Sequence, residues 1–135
     1  MIRNPRCRVH SLAIALWLAV LVSCSPAAPS TSISQAELAS RLGTRNAPLI
    51  IDVRSRPEFD SGHIPDAVHI PYTDLPRGLR ELKIESDREI VVYCERGGRS
   101  TTAASALRGA GFSTVLQLEG DMSAWRASQL RCVGC

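Results

Sequence analysis

Val91-Val92-Tyr93-Cys94-Glu95-Arg96-Gly97-Gly98-Arg99-Ser100 joins a run of apolar, β-favouring residues to a glycine-rich turn and then to a helix-favouring stretch. The apolar run, Glu89 to Tyr93, reads as a strand buried on both faces. It has two companions of the same kind, Leu49 to Val53 and Thr114 to Leu118. A weaker strand, Ala67 to Ile70, is bounded by Pro65 and Pro71, which confines it to a short or edge position. Thr101 to Arg108 predicts a helix that ends near Gly109 or Gly111. Leu75 to Lys83 predicts another, against the resistance of Pro76 and Gly78. Ser34 and Glu37 have capping-box spacing, Ile33 and Leu38 can staple the same turn, and Gly43 suits the exit, so a first helix runs from Gln35 to Leu42. Strands alternating with helices indicate an α/β domain with a parallel sheet.

The 135 residues suffice for one domain. The net charge of +3 comes from 16 basic and 13 acidic side chains. Arg3, Arg6 and Arg8 account for that excess, so the rest of the chain is balanced. This balance, with no interleaving of aromatic and basic residues, argues against a nucleic-acid partner.

The first residues read as a targeting segment: a basic stretch from Arg3 to Arg8, an apolar run from Leu12 to Val22, then small residues. Eleven apolar residues fall short of the roughly 20 that a spanning helix needs, which disfavours a transmembrane anchor. Leu21-Val22-Ser23-Cys24 resembles the lipobox of bacterial lipoproteins, in which the cysteine is lipidated and becomes the first mature residue. The resemblance implies a signal peptide over 1–23, a lipid anchor on Cys24 and a periplasm-facing protein in the bacterial envelope. Ser25 after the cysteine fits outer-membrane sorting where two membranes exist. An ordinary cleaved signal, with Cys24 incidental, is the competing reading. Residues 24–32 are poor in large apolar groups and read as a tether, leaving 33–135 as the domain.

Export would place the remaining thiols in an oxidising compartment. Cys132 and Cys135 can pair with each other, which leaves Cys94 as a lone thiol. A free cysteine often serves as a small buried hydrophobe. Cys94 differs in following its strand instead of lying within it, and in being followed by charged residues and glycines. At the carboxyl end of a strand in an open α/β sheet, ligands bind. Loop N–H groups and the positive end of the next helix can hold an anion there. With Arg96 and Arg99, these surroundings favour a reactive thiolate and make the turn from Glu95 through Arg96, Gly97, Gly98 and Arg99 to Ser100 the substrate-binding loop.

The sequence here resembles the rhodanese (thiosulfate sulfurtransferase) family from about Ile33 to Arg126. Three blocks carry the likeness. Ile51-Asp52-Val53-Arg54, then Glu58-Phe59, then Gly62-His63-Ile64-Pro65-Asp66-Ala67-Val68-His69-Ile70-Pro71 form the first. The loop after Tyr93 is the second. Ala104, Leu107, Gly111-Phe112, Val115, Leu118, Gly120 and Trp125 form the third. The resemblance implies a five-stranded parallel sheet flanked by helices, with Cys94 as a persulfide-forming nucleophile. It implies a small anionic sulfur donor such as thiosulfate, cyanide or a thiol as acceptor, and no metal or organic cofactor. It makes the histidine of the Gly-His-Ile-Pro turn structural, and Asp52 and Arg54 scaffold for the loop.

Two positions depart from the family pattern: Asp121 stands where a second glycine often follows Gly120, and Glu95 sets a negative charge beside Cys94, which opposes anionic donors. Related cysteine-loop phosphatases place arginine six positions after the nucleophile, whereas Arg99 is five after Cys94, which favours sulfur over phosphate. Three further readings stay open: a binding or redox-sensing module on the same fold, a thiol oxidoreductase in which Cys94 exchanges with Cys132 and Cys135, and an internal sulfur-acceptor role for that pair. Oligomeric state is not legible in the sequence.

Overall fold

The computed structural model describes residues 31–135. The signal over 1–23, Cys24 and most of the tether lie outside the described residues. The elements are β1 (Ser32–Ile33), α1 (Gln35–Arg41), β2 (Leu49–Asp52), α2 (Arg56–Asp60), β3 (Val68–His69), α3 (Leu75–Leu82), β4 (Ile90–Tyr93), α4 (Gly98–Gly109), β5 (Val115–Leu118) and α5 (Asp121–Ala127). They build a five-stranded, all-parallel sheet in the order β1-β5-β4-β2-β3.

Every residue of β4 is buried, the signature of a central strand covered on both faces. Because side chains alternate along a strand, neighbours go to opposite cores. Ile51, Ile90 and Val92 join Leu75, Leu79, Ala104 and Leu107 on the α3–α4 side. Ile50, Val91 and Tyr93 join Leu38, Met122 and Trp125 on the α1–α5 side. Each fully buried aliphatic side chain stabilises the fold by about 1.5–3 kcal/mol.

Four local features differ from the sequence reading or refine it. Ser32, placed at the end of the tether, belongs to β1 and pairs with Gln117. Two residues of strand are too few for a periodic signal, and short edge strands of this kind limit pairing with other chains. Helix α2 was not expected. Ser55 and Glu58 start it, with the Glu58 carboxylate accepting from the Ser55 backbone N–H at 2.9 Å and hydroxyl at 2.6 Å. Helix α3 forms in spite of its proline and glycine: Pro76 lies in the first turn, where a missing N–H costs little. A Cβ on Gly78 would come within 2.6 Å of Ile70 Cγ2, so the glycine allows α3 to close on the strand beside it. The third sequence block ends in α5, whose Trp125 is fully buried.

Among the described residues no helix is long and apolar enough to cross a membrane. The same residues contain no cluster of side chains that could hold a metal ion.

Candidate active site

Strand β4 ends at Tyr93 and delivers Cys94 to the carboxyl edge of the sheet. The turn closes at Gly97, whose φ of +99° is open to glycine and strained for other residues. Helix α4 begins at the next residue. Its positive N-terminal end therefore lies four residues from the cysteine. The backbone N–H of Gly97 donates to Cys94 Sγ at 3.1 Å, and the thiol lies 3.5 Å from Ser100 Oγ. Cys94 is free of any disulfide.

The sulfur is less open than an exposed turn would make it, because Cys94 keeps only 2% of its surface. Its side chain folds beneath the turn toward Gly97 and Ser100 instead of projecting into solvent.

The loop is clamped from behind by the start of α5. Met122 N–H donates to the Cys94 carbonyl at 3.0 Å and Ser123 N–H to the Glu95 carbonyl at 3.2 Å. Asp121, 3% exposed, accepts the Cys94 backbone N–H at 2.7 Å and the Ser100 hydroxyl at 2.8 Å, both on Oδ1. The Gln117 side-chain amide donates to Ser100 Oγ at 3.0 Å and Thr101 Oγ1 at 3.1 Å.

Charged groups brace the front. Arg99 forms a bidentate pair with Glu58, at 2.6 and 2.7 Å. The Arg99 hydrogen bond holds the Glu58 carboxyl far below the usual carboxylate range, against the opposing effect of partial burial and with help from Ser55. Glu58 raises Arg99 in turn, against partial burial, and the Cys94 sulfur adds a smaller push in the same direction. Arg54 is fully buried. It meets Asp52 through Nε and Nη2, donates to the Gly62 carbonyl at 2.7 Å, and reaches Glu95 at 3.2 Å. Burial opposes its charge, but the Asp52 carboxylate outweighs burial and the net shift is upward. The Arg54 guanidinium lies 5.7 Å from the centre of the Tyr93 ring. Burial, reinforced by Asp52, drives the Tyr93 hydroxyl well above its ordinary value, so it stays protonated and accepts the Ile64 N–H at 3.2 Å.

Three sequence expectations change in this light. Glu95 does not confront the sulfur, because its carboxylate is held by Arg54 at 3.2 Å and Arg126 at 2.7 Å. Its charge is matched, and it acts as a strut. Arg99 is already engaged with Glu58, while Arg96 is exposed and pairs with no other described residue. The surroundings are not broadly electropositive either: Arg54, Arg96, Arg99 and Arg126 stand against Asp52, Glu58, Glu95 and Asp121. The loop amide and helix end are what polarise the site around the sulfur.

His63 stacks on Phe59 with ring centroids 3.7 Å apart and its Nδ1 meets the Phe59 carbonyl at 3.0 Å. His69 Nε2 meets the Arg54 carbonyl at 2.9 Å. Both rings are thus structural supports. Cys132 and Cys135 form a disulfide, and the hydrogen bonds between His63 and Val133 fix that terminus beside Gly62.

Sequence reasoning assigned no role to Glu58, Gln117 or Arg126, and noted Asp121 only as a departure. The Ser55–Glu58 spacing was a usable local signal for Glu58. Gln117 and Arg126 gave none, because their partners are distant in the chain.

Comparisons with known proteins bear on the family and the fold. The Rhodanese-like domain family matches residues 34–128. A sulfurtransferase of Allochromatium vinosum is 37% identical over 93 residues, covering 69% of this chain and 85% of the relative. A thiosulfate sulfurtransferase of Pseudomonas syringae, GlpE, is 38% identical over 80 residues, covering 59% of this chain and 74% of the relative. The solution structure of the rhodanese-like domain of an Anabaena protein superposes with a TM-score of 0.71 at 33% identity, covering 78% of this chain and 80% of that one.

Proposed function

We infer the chemistry from one premise: this chain belongs to the rhodanese-like domain family and is related within it to sulfurtransferases. Its Cys94 thiolate attacks the outer sulfur of a sulfane donor such as thiosulfate. The donor S–S bond breaks, the electron pair leaves with sulfite, and Cys94 becomes a persulfide. Cyanide or a thiol then attacks the terminal sulfur, forms thiocyanate or a new persulfide, and returns Cys94 as the thiolate.

The observation that carries this reading is the free Cys94 sulfur held by the Gly97 N–H at 3.1 Å at the start of α4. A preorganised amide of this kind stabilises negative charge on sulfur without reorganising during the reaction. In this reading the loop from Glu95 to Ser100, with Arg96 and Arg99, receives the small anionic donor. Their work is binding and orientation, and no step calls for a metal or an organic cofactor.

Thiosulfate:cyanide turnover by the parent and by Cys94→Ser tests the proposal. Thiocyanate from the parent and none above background from Cys94→Ser is the expected result. No thiocyanate above background from the parent itself would instead favour a binding or sensing module on this fold. The same proposal places the protein in the bacterial envelope, facing the periplasm and held by lipid on Cys24. The support is the lipobox-like Leu21-Val22-Ser23-Cys24, and Cys24→Ala should shift the protein from the membrane to the soluble fraction.

A further inference from the structure

Asp121 is the one carboxylate in the wall of the site without a cationic partner among the described residues. Arg54 is committed to Asp52 and Glu95, Arg99 to Glu58, and Arg126 to Glu95. Arg96 is unpaired but exposed to water. Asp121 is 3% exposed, and its Oδ1 is hydrogen-bonded to the residues on either side of the sulfur site, the Cys94 backbone and Ser100. Its other oxygen faces the turn, 3.4 Å from where a Cβ on Gly97 would lie. A negative charge thus sits behind the loop whose Gly97 amide holds the sulfur, largely buried and with no cation paired to it among the described residues.

Repulsion from a fixed charge scales with the charge of the approaching ion, and poor solvation makes it felt at this depth. Thiosulfate brings two negative charges to the site, whereas an alkyl persulfide brings one or none. We propose that Asp121 determines donor specificity, tilting the site away from thiosulfate and toward alkyl persulfides. The inference rests on the reading of Cys94 as a sulfur carrier. The step balances in the same way: the Cys94 thiolate bonds to the terminal sulfur of the alkyl persulfide, its S–S bond breaks, and the alkyl thiolate leaves with the electron pair.

The backbone supplies a clean test. Asp121 has a φ of +52°, in the left-handed region that asparagine occupies as readily as aspartate. Asp121→Asn can keep the acceptor at Oδ1, the size and the backbone while removing the charge. Asp121→Gly also suits that φ and removes the charge by another route.

The experiment measures kcat/KM for sulfur loading of Cys94 from thiosulfate and from 2-hydroxyethyl persulfide, in the parent and both variants. The expected result is that the thiosulfate-to-persulfide ratio rises about tenfold in Asp121→Asn, equivalent to about 1.4 kcal/mol. It should move in the same direction in Asp121→Gly, and the rise should shrink as salt is added. A purely structural role would shift both donors alike, so an unchanged ratio in both variants overturns the proposal. If neither donor loads Cys94 in the parent, the sulfur-carrier reading itself fails, a result distinct from an unchanged ratio.

Discussion

The molecule holds its sulfur atoms in two opposite ways. Cys94 is a free thiol almost removed from solvent, whereas Cys132 and Cys135, half-buried and exposed, are joined to each other at the end of the chain. Exposure alone would point to the terminal pair as the reactive one. What separates them is the company each keeps. Cys94 Sγ meets a backbone N–H and a hydroxyl in a loop clamped by α5, while the terminal disulfide closes a short covalent ring and packs against Gly62. The two regions still communicate through one buried side chain, since Arg54 donates to the Gly62 carbonyl and also holds Glu95, the residue after Cys94.

The sharpest way to break this contrast is to exchange the roles of the sulfurs. Cys94→Ser should reduce sulfur transfer to background while leaving the urea midpoint close to the parent's. Retained turnover in that variant, measured as thiocyanate formed, would give the chemistry to the terminal pair.

Arg54→Ala should produce the largest loss of stability. It strands Asp52 in the core without its partner, and breaking a buried pair in this way costs about 3–5 kcal/mol. Denaturant unfolding measures that loss, and a change under 1 kcal/mol would show that Arg54 does not join the two regions.

Cys132→Ser with Cys135→Ser removes only a short covalent loop, so it should cost about 2 kcal/mol or less. Its transfer rate should equal the parent's, and a slowed acceptor step would instead make the pair a relay for sulfur.

The smallest effect concerns the front brace. Glu58 is depressed below its unfolded value of 4.5 by Arg99, so its contribution is fully present above that value and is lost as pH falls toward the folded value in strong acid. Both side chains are about one third exposed, which limits the pair to about 1 kcal/mol. Glu58→Gln should therefore flatten the acid limb of the stability profile below pH 4.5 while leaving neutral stability within about 1 kcal/mol of the parent.

These contrasts also mark what can be read from a sequence. The strand ending at Tyr93, the turn at Gly97 and the helix after it depend on neighbours in the chain, and all three were legible. So was the α/β order, because each central strand is rich in Ile, Val or Leu. The charge distribution around the loop was not legible. Glu95 looked like an obstacle to anions until Arg54 and Arg126, 41 and 31 positions away, came to meet it. Asp121 lies 27 residues from the Cys94 amide it accepts, and no local spacing signals that bond. Strand β1 and helix α2 were missed for a different reason, since two and five residues are too short for periodicity to declare itself.

Intact-mass measurement of the protein treated with thiosulfate or an alkyl persulfide, before and after cyanide, tests the central claim most directly. The account predicts the gain of one sulfur atom located to Cys94 and its complete loss on cyanide addition. No added sulfur with either donor, or sulfur found only on Cys132 or Cys135, would contradict it.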